Sequence, residues 1–200
     1  MGPEPRSITD GKTFRKFLEE GSLKYYSREE FNQEMTLDAQ TGLTDEQSIL
    51  SALLDDNDQF GLVLSGPGGV GKTRLALQLA LEAEANGWLV LQVERNTSRE
   101  AIEQLAREHT SSANVLLVID YAEAAKSLFD LAQEMERAND ERGHKFRFVA
   151  TCRASALATV KEALDGKAYE VMEFSGEPDD HYADWVVGKI LASNEISNAE

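Results

Sequence analysis

The chain has 200 residues, 42% hydrophobic and 28% charged, enough for one α/β domain with a short extension and too little for two full domains. A formal net charge of −16 opposes the phosphate backbone of DNA or RNA and argues against non-specific nucleic-acid binding. No run of 18 apolar residues and no signal-peptide pattern occurs, so no membrane contact is expected; the single cysteine, Cys152, allows no internal disulfide and fits a cytoplasmic location.

Residues 1–58 read as a helical N-terminal extension. Phe14, Phe17 and Leu18 line one face of a short helix that Gly21 would end. Ile49, Leu50, Leu53 and Leu54 give a second amphipathic helix, with Thr44 and Gln47 at capping-box spacing. From residue 59 the pattern changes to strands alternating with helices. The predicted strands are Phe60–Ser65, Trp88–Glu94, Asn114–Asp120, Lys145–Thr151 and Ala168–Phe174. The predicted helices are Thr73–Ala85, one opened by Thr97 and Glu100 and running to about His109, one with Ala125, Leu128, Phe129, Ala132 and Met135 inward, and Ala154–Leu164. Five alternations predict an α/β fold with a parallel sheet covered on both faces. This core spans residues 59–175. Residues 176–200 read as the start of a helical lid, a last helix capped by Asp179 or Asp180 and carrying Tyr182, Trp185, Val186 and Ile190. The three histidines, His109, His144 and His181, have no metal-ligand spacing and read as surface residues.

Gly66-Pro67-Gly68-Gly69-Val70-Gly71-Lys72-Thr73 fits G-x-x-x-x-G-K-[ST] at every fixed position, between a strand and a helix. Glycines let backbone N–H groups face inward, and the helix start adds partial positive charge. The expected phosphate contacts are Gly66, Gly68, Gly69, Val70, Gly71, Lys72, Thr73 and Arg74. Lys72 supplies charge to the β- and γ-phosphates, and the Thr73 hydroxyl ligates Mg²⁺. Asp120 ends an uninterrupted apolar strand and is the expected second group at the metal. The next position is Tyr121, so Glu123 becomes the candidate base. Arg153, at the end of Phe148-Val149-Ala150-Thr151-Cys152-Arg153, is placed to sense the γ-phosphate; Thr151 is a weaker candidate, and Cys152 is expected to pack. No Asn-Lys-x-Asp motif occurs, so adenine is favoured over guanine by default, and residues 42–50 are the expected cover for the base.

Gly-Pro-Gly-Gly-Val-Gly-Lys-Thr, Leu-Leu-Val-Ile-Asp-Tyr-Ala-Glu and Val-Ala-Thr-Cys-Arg together resemble the STAND NTPases, signalling ATPases related to NB-ARC domains and to AAA+ proteins. The resemblance covers roughly residues 40–195. It implies the ASCE type of P-loop fold, a five-stranded parallel sheet in the order 5-1-4-3-2. It also implies a switch that holds ADP at rest and ATP when active, with slow hydrolysis, and in some bacterial members a role in defence against phage. Partners would be the adenine nucleotide and a protein or second copy reached through further domains, this chain being a fragment or truncated member. A mechanical AAA+-like ATPase and a degenerate interaction module without turnover are the alternatives. A kinase ranks below them, for want of an Arg-rich lid.

Overall fold

Val115–Ile119 contains no polar residue, and that run becomes the middle of the fold. In strand β4 (Asn114–Ile119), residues 115–119 are all buried. Leu116 and Val118 join one core cluster while Val115, Leu117 and Ile119 join another. Only a strand covered on both faces has this two-sided burial. The computed structural model describes residues 8–10, 25–37, 44–55, 59–95, 97–108, 113–174 and 181–197, the backbone alone at 8–10, 55, 142 and 193–197.

The other strands are β1 (Ile8–Asp10), β2 (Gly61–Gly66), β3 (Leu89–Val93), β5 (Lys145–Arg153) and β6 (Tyr169–Glu173), in the sheet order β1-β3-β4-β5-β2-β6. The last five run parallel to their neighbours. Counted from β2, that is the expected order 5-1-4-3-2. The sixth strand was not foreseen: β1 lies in the segment read as helical and pairs antiparallel with β3, Ile8 opposite Val93. The expected helix at Phe14–Leu18 lies outside the described residues.

Helices α1 (Arg28–Glu34), α2 (Glu46–Asp55), α3 (Lys72–Ala85), α4 (Arg99–Glu108), α5 (Leu128–Arg142), α6 (Leu157–Ala163) and α7 (His181–Ser197) complete the described residues with two short 3-10 turns. α2 and α3 cover one face through Leu50, Leu53, Leu75 and Leu79. α4, α5 and α6 cover the other through Ile102, Leu131, Met135 and Val160. Burial of such side chains contributes roughly 1.5–3 kcal/mol each, which is why the sheet and not helix propensity sets the element ends. The predicted bounds hold to within a few residues, with α5 starting at Leu128 and Phe129 turned outward at 49% exposure.

Some local expectations need correction. α2 starts one residue later than a Thr44 cap requires. Asp45 caps it instead, its carboxylate accepting the Ser48 N–H at 2.8 Å and the Ser48 hydroxyl at 3.0 Å. Asp45→Ala is expected to cost about 1 kcal/mol and Thr44→Ala only a few tenths, read by urea denaturation. α4 likewise starts at Arg99, moving the cap from Thr97 to Ser98, which hydrogen-bonds Glu100. His144 is buried, not on the surface: Nδ1 accepts the Ala113 N–H at 3.0 Å and Nε2 lies 3.0 Å from the Ala106 carbonyl. Those two bonds call for the neutral ring with its proton on Nε2. His109 lies outside the described residues.

The N-terminal extension and the closing helix, far apart in sequence, pack on one another. Phe31 meets Tyr182 and Trp185 edge-on at 5.4 and 5.5 Å, and Tyr26 meets Trp185 at 5.9 Å. Tyr182 donates its hydroxyl to the Tyr26 carbonyl at 2.6 Å, and Lys189 pairs with Glu34 at 2.6 Å. Arg28 is buried, with its guanidinium over the Phe174 ring and donating to the Thr44 carbonyl. α1 thereby ties α7 to the edge of the sheet next to β6.

Candidate functional site: the ends of β2, β4 and β5

Parallel strands deliver their C-terminal ends to one edge of the sheet, and helix N-termini open there. β2 is buried along all six residues and turns at Gly66 into the loop before α3. A Cβ at Gly66 would lie 2.8 Å from the Phe174 Cβ and 2.9 Å from its carbonyl oxygen, so only glycine fits. Gly71, at φ 87°, holds the left-handed conformation that turns the chain into α3. The Gly71 carbonyl takes its first helical bond from the Leu75 N–H. The N–H groups before Leu75 therefore lie at the positive end of the helix, ahead of its first i to i−4 bond.

The side chains converge on that opening. Lys72 Nζ donates to the Gly66 carbonyl at 2.9 Å and the Pro67 carbonyl at 2.5 Å. Burial pulls its pKa below the usual lysine value, while the charge environment of Cys152, Glu123 and Asp120 opposes that pull. Asp120 follows β4 directly. The Thr73 hydroxyl donates to its Oδ1 at 2.9 Å, and the Thr151 hydroxyl donates to the same oxygen at 2.6 Å. Thr151 Oγ1 in turn accepts the Tyr121 N–H at 3.0 Å. Tyr121 is left-handed, φ 55° and ψ 60°, and exposed.

Arg153 closes β5 in register with Gly66, and its side chain is exposed. Its backbone N–H donates to Glu123 Oε1 at 3.3 Å. Glu123 sits in the 3-10 turn Ala122–Ala124, and its Oε2 is buried with no hydrogen-bond partner. Gly66, Gly68, Gly69, Val70 and Gly71 form the loop; Lys72, Thr73, Asp120, Glu123 and Arg153 surround its mouth. The Arg74 side chain turns away, its guanidinium 5.5 Å over the Tyr25 ring, so only its backbone N–H faces the opening. Cys152 packs as expected: it is 1% exposed, and burial raises its thiol pKa. Of residues 42–50, those from 44 on are described: Ile49 and Leu50 are core, and Glu46 is buried, accepting the Tyr25 hydroxyl at 2.6 Å.

The donor set suits a hard divalent cation held partly by substrate. Among the described residues no group of three or more His, Cys, Asp or Glu side chains gathers as a metal cage. A hydroxyl and a carboxylate already in contact, at the N-terminal end of a helix, match the way Mg²⁺ is shared with phosphates. Thr73 spends its proton on Asp120, which leaves its oxygen lone pairs for a metal. The geometry of Thr151 is what sequence reading undervalued; a polar residue near a strand end was the only signal.

Fold likeness comes from solved structures. S. cerevisiae Hsp104 in its extended casein complex is 13% identical, with 97% of this chain and 34% of that chain covered at a TM-score of 0.56. The S. cerevisiae Hsp104–ADP complex is 14% identical, with 86% and 25% covered at 0.53. This chain thus spans about a third or less of those chains, and the likeness shows a shared fold. No curated protein matches significantly. Among described residues no helix is long and apolar enough to cross a membrane. The family described as Novel STAND NTPase 5 matches residues 38–164, more than half of the chain and every strand end that builds the site, and to that family of P-loop NTPases this chain belongs.

Proposed function

We propose that this chain is an ATP/ADP-binding switch with slow hydrolysis, Mg²⁺ being held by Thr73 and Asp120. The observation that carries this reading is the contact between Arg153 and Glu123. The backbone bond joins a cation suited to the γ-phosphate to a carboxylate with a buried, unpartnered oxygen, on the strand next to Gly66. Lys72, backed by the loop carbonyls, binds the β- and γ-phosphates; Mg²⁺ held by Thr73 and Asp120 would supply further charge neutralisation. Glu123 orients water. Tyr121 takes the place of an acid directly after Asp120, which supports slow turnover. Signalling, with defence against phage as one bacterial setting and a protein partner or second copy as its target, is the role that family membership suggests.

A switch requires that ATP and ADP bind with different affinities. Calorimetric titration with each nucleotide in Mg²⁺ tests this, with GTP as the base control. Arg153→Ala is expected to weaken ATP about tenfold through loss of a charge-assisted phosphate bond and to leave ADP unchanged. Equal affinities in the wild type, or equal losses for both nucleotides in the variant, would refute the switch.

A further inference from the structure

We propose that Thr151 is a positioning residue for the metal half of this site, a role that rests on the nucleotide reading above. Thr151 is 2% exposed, and its hydroxyl has two partners. Its one proton goes to Asp120 Oδ1 at 2.6 Å, and its lone pair takes the Tyr121 N–H at 3.0 Å. One atom on β5 therefore fixes both the carboxylate and the backbone that follows it on β4.

Both halves of that arrangement need fixing. Oδ1 also receives the Thr73 hydroxyl, so two donors saturate one oxygen and leave Oδ2 for the water shell of a cation. Without Thr151 the carboxylate would keep only the Thr73 donor and be held less firmly. Tyr121 meanwhile holds a left-handed backbone that is unfavourable for a residue with a side chain. Its N–H bond to Thr151 offsets that cost and sets where the chain leaves toward Glu123. Thr151 lies two residues before Arg153 on the same strand. The strand that carries the γ-phosphate cation is thus the strand that orients the metal's carboxylate.

The test uses Thr151→Val, which keeps shape and removes the hydroxyl, and Thr151→Ser, which keeps the hydroxyl. ATP affinity is titrated in Mg²⁺ and in EDTA, with Asp120→Ala as the reference loss, and exchange of the Tyr121 amide is followed without nucleotide. Thr151→Val is expected to weaken Mg·ATP about tenfold and metal-free ATP less than about twofold, and Thr151→Ser to restore the wild-type value. Tyr121 exchange should quicken in the valine variant and return in the serine variant. If valine does not fold, Thr151→Cys, close in size with a weaker donor, carries the same expectation. Equal losses with and without metal, no loss, or no rescue by serine would overturn the positioning role. A wild type that binds no nucleotide would instead overturn the phosphate site. Amide exchange would then decide alone, unchanged exchange in Thr151→Val removing the strand-end role as well.

Discussion

Lys72→Ala is expected to raise the Kd for Mg·ATP by at least about 100-fold, since hydrogen bonds to a charged group are worth about 1.5–3 kcal/mol each and a lysine offers several. The fold should survive. Lys72 touches only the Gly66 and Pro67 carbonyls through its ammonium, and it is half-buried at the mouth of the loop. Stability should therefore change by no more than about 1 kcal/mol, a Tm shift of about 2–4 °C for a chain of this size. Two readings of Lys72 separate here. If the ammonium serves only to close the loop on itself, its loss loosens Gly66–Gly71 and lowers Tm, with ATP affinity following in proportion. If it is a phosphate ligand, affinity collapses while Tm holds. Calorimetry and thermal unfolding on the same samples decide, and an unchanged ATP affinity would remove the phosphate-binding assignment altogether.

Lys72 was readable because chemistry fixes both its type and its spacing. A phosphate cradle needs glycine where the chain turns left-handed at Gly71 and where it grazes Phe174 at Gly66. Those demands are local, so eight consecutive residues state them. The parallel sheet was readable for a similar reason: Val115–Ile119 is apolar without interruption, and only two-sided burial explains that. The strand order came from family resemblance, because hydrophobic runs carry no information about which strand lies beside which. What escaped the sequence depends on distant contacts. Ile8-Thr9-Asp10 is too short to show alternation, and its strand exists because β3 offers a free edge. Gly143-His144-Lys145 looks solvated, yet the His144 ring closes two bonds to residues 31 and 38 positions away. Arg28 stands in an acidic helix start and is buried by Phe174 from the far end of the chain. Asp45 rather than Thr44 caps α2, a choice between adjacent good caps that propensity alone does not make. In the site, residue types were legible and their convergence was not: nothing in Thr73, Asp120 and Thr151 as letters says that all three share one oxygen.

Glu123→Gln is expected to lower ATP turnover about 100-fold, the lower end of what a positioned base contributes, while leaving ATP affinity nearly unchanged. The substitution is chosen for its shape. A glutamine keeps an oxygen to accept the Arg153 N–H, now made by Glu123 Oε1 at 3.3 Å, so the strand end stays in place. It removes the charge and the proton-accepting capacity of Oε2, the oxygen that is buried without a partner. An unpartnered buried oxygen costs free energy, and a water at the phosphate would satisfy it. A carboxylate that merely anchors Arg153 would have no use for that second oxygen, and the glutamine variant would then hydrolyse ATP at the wild-type rate. Phosphate release under single-turnover conditions separates the two, because it reads the chemical step free of product dissociation. Retained turnover would leave Tyr121 and Asp120 as the groups around the attacking water. Neither is suited to it: the Tyr121 side chain points to solvent from a left-handed backbone, and Asp120 Oδ1 is engaged by two hydroxyls. Under the proposed function, slow hydrolysis would follow from the placement of Glu123, two residues beyond the position directly after Asp120. Glu123, in its 3-10 turn, is joined to the Arg153 backbone by a 3.3 Å bond. In the proposed switch that bond would link the rate of ATP loss to the residue placed to sense the γ-phosphate, which is the coupling a timed switch needs.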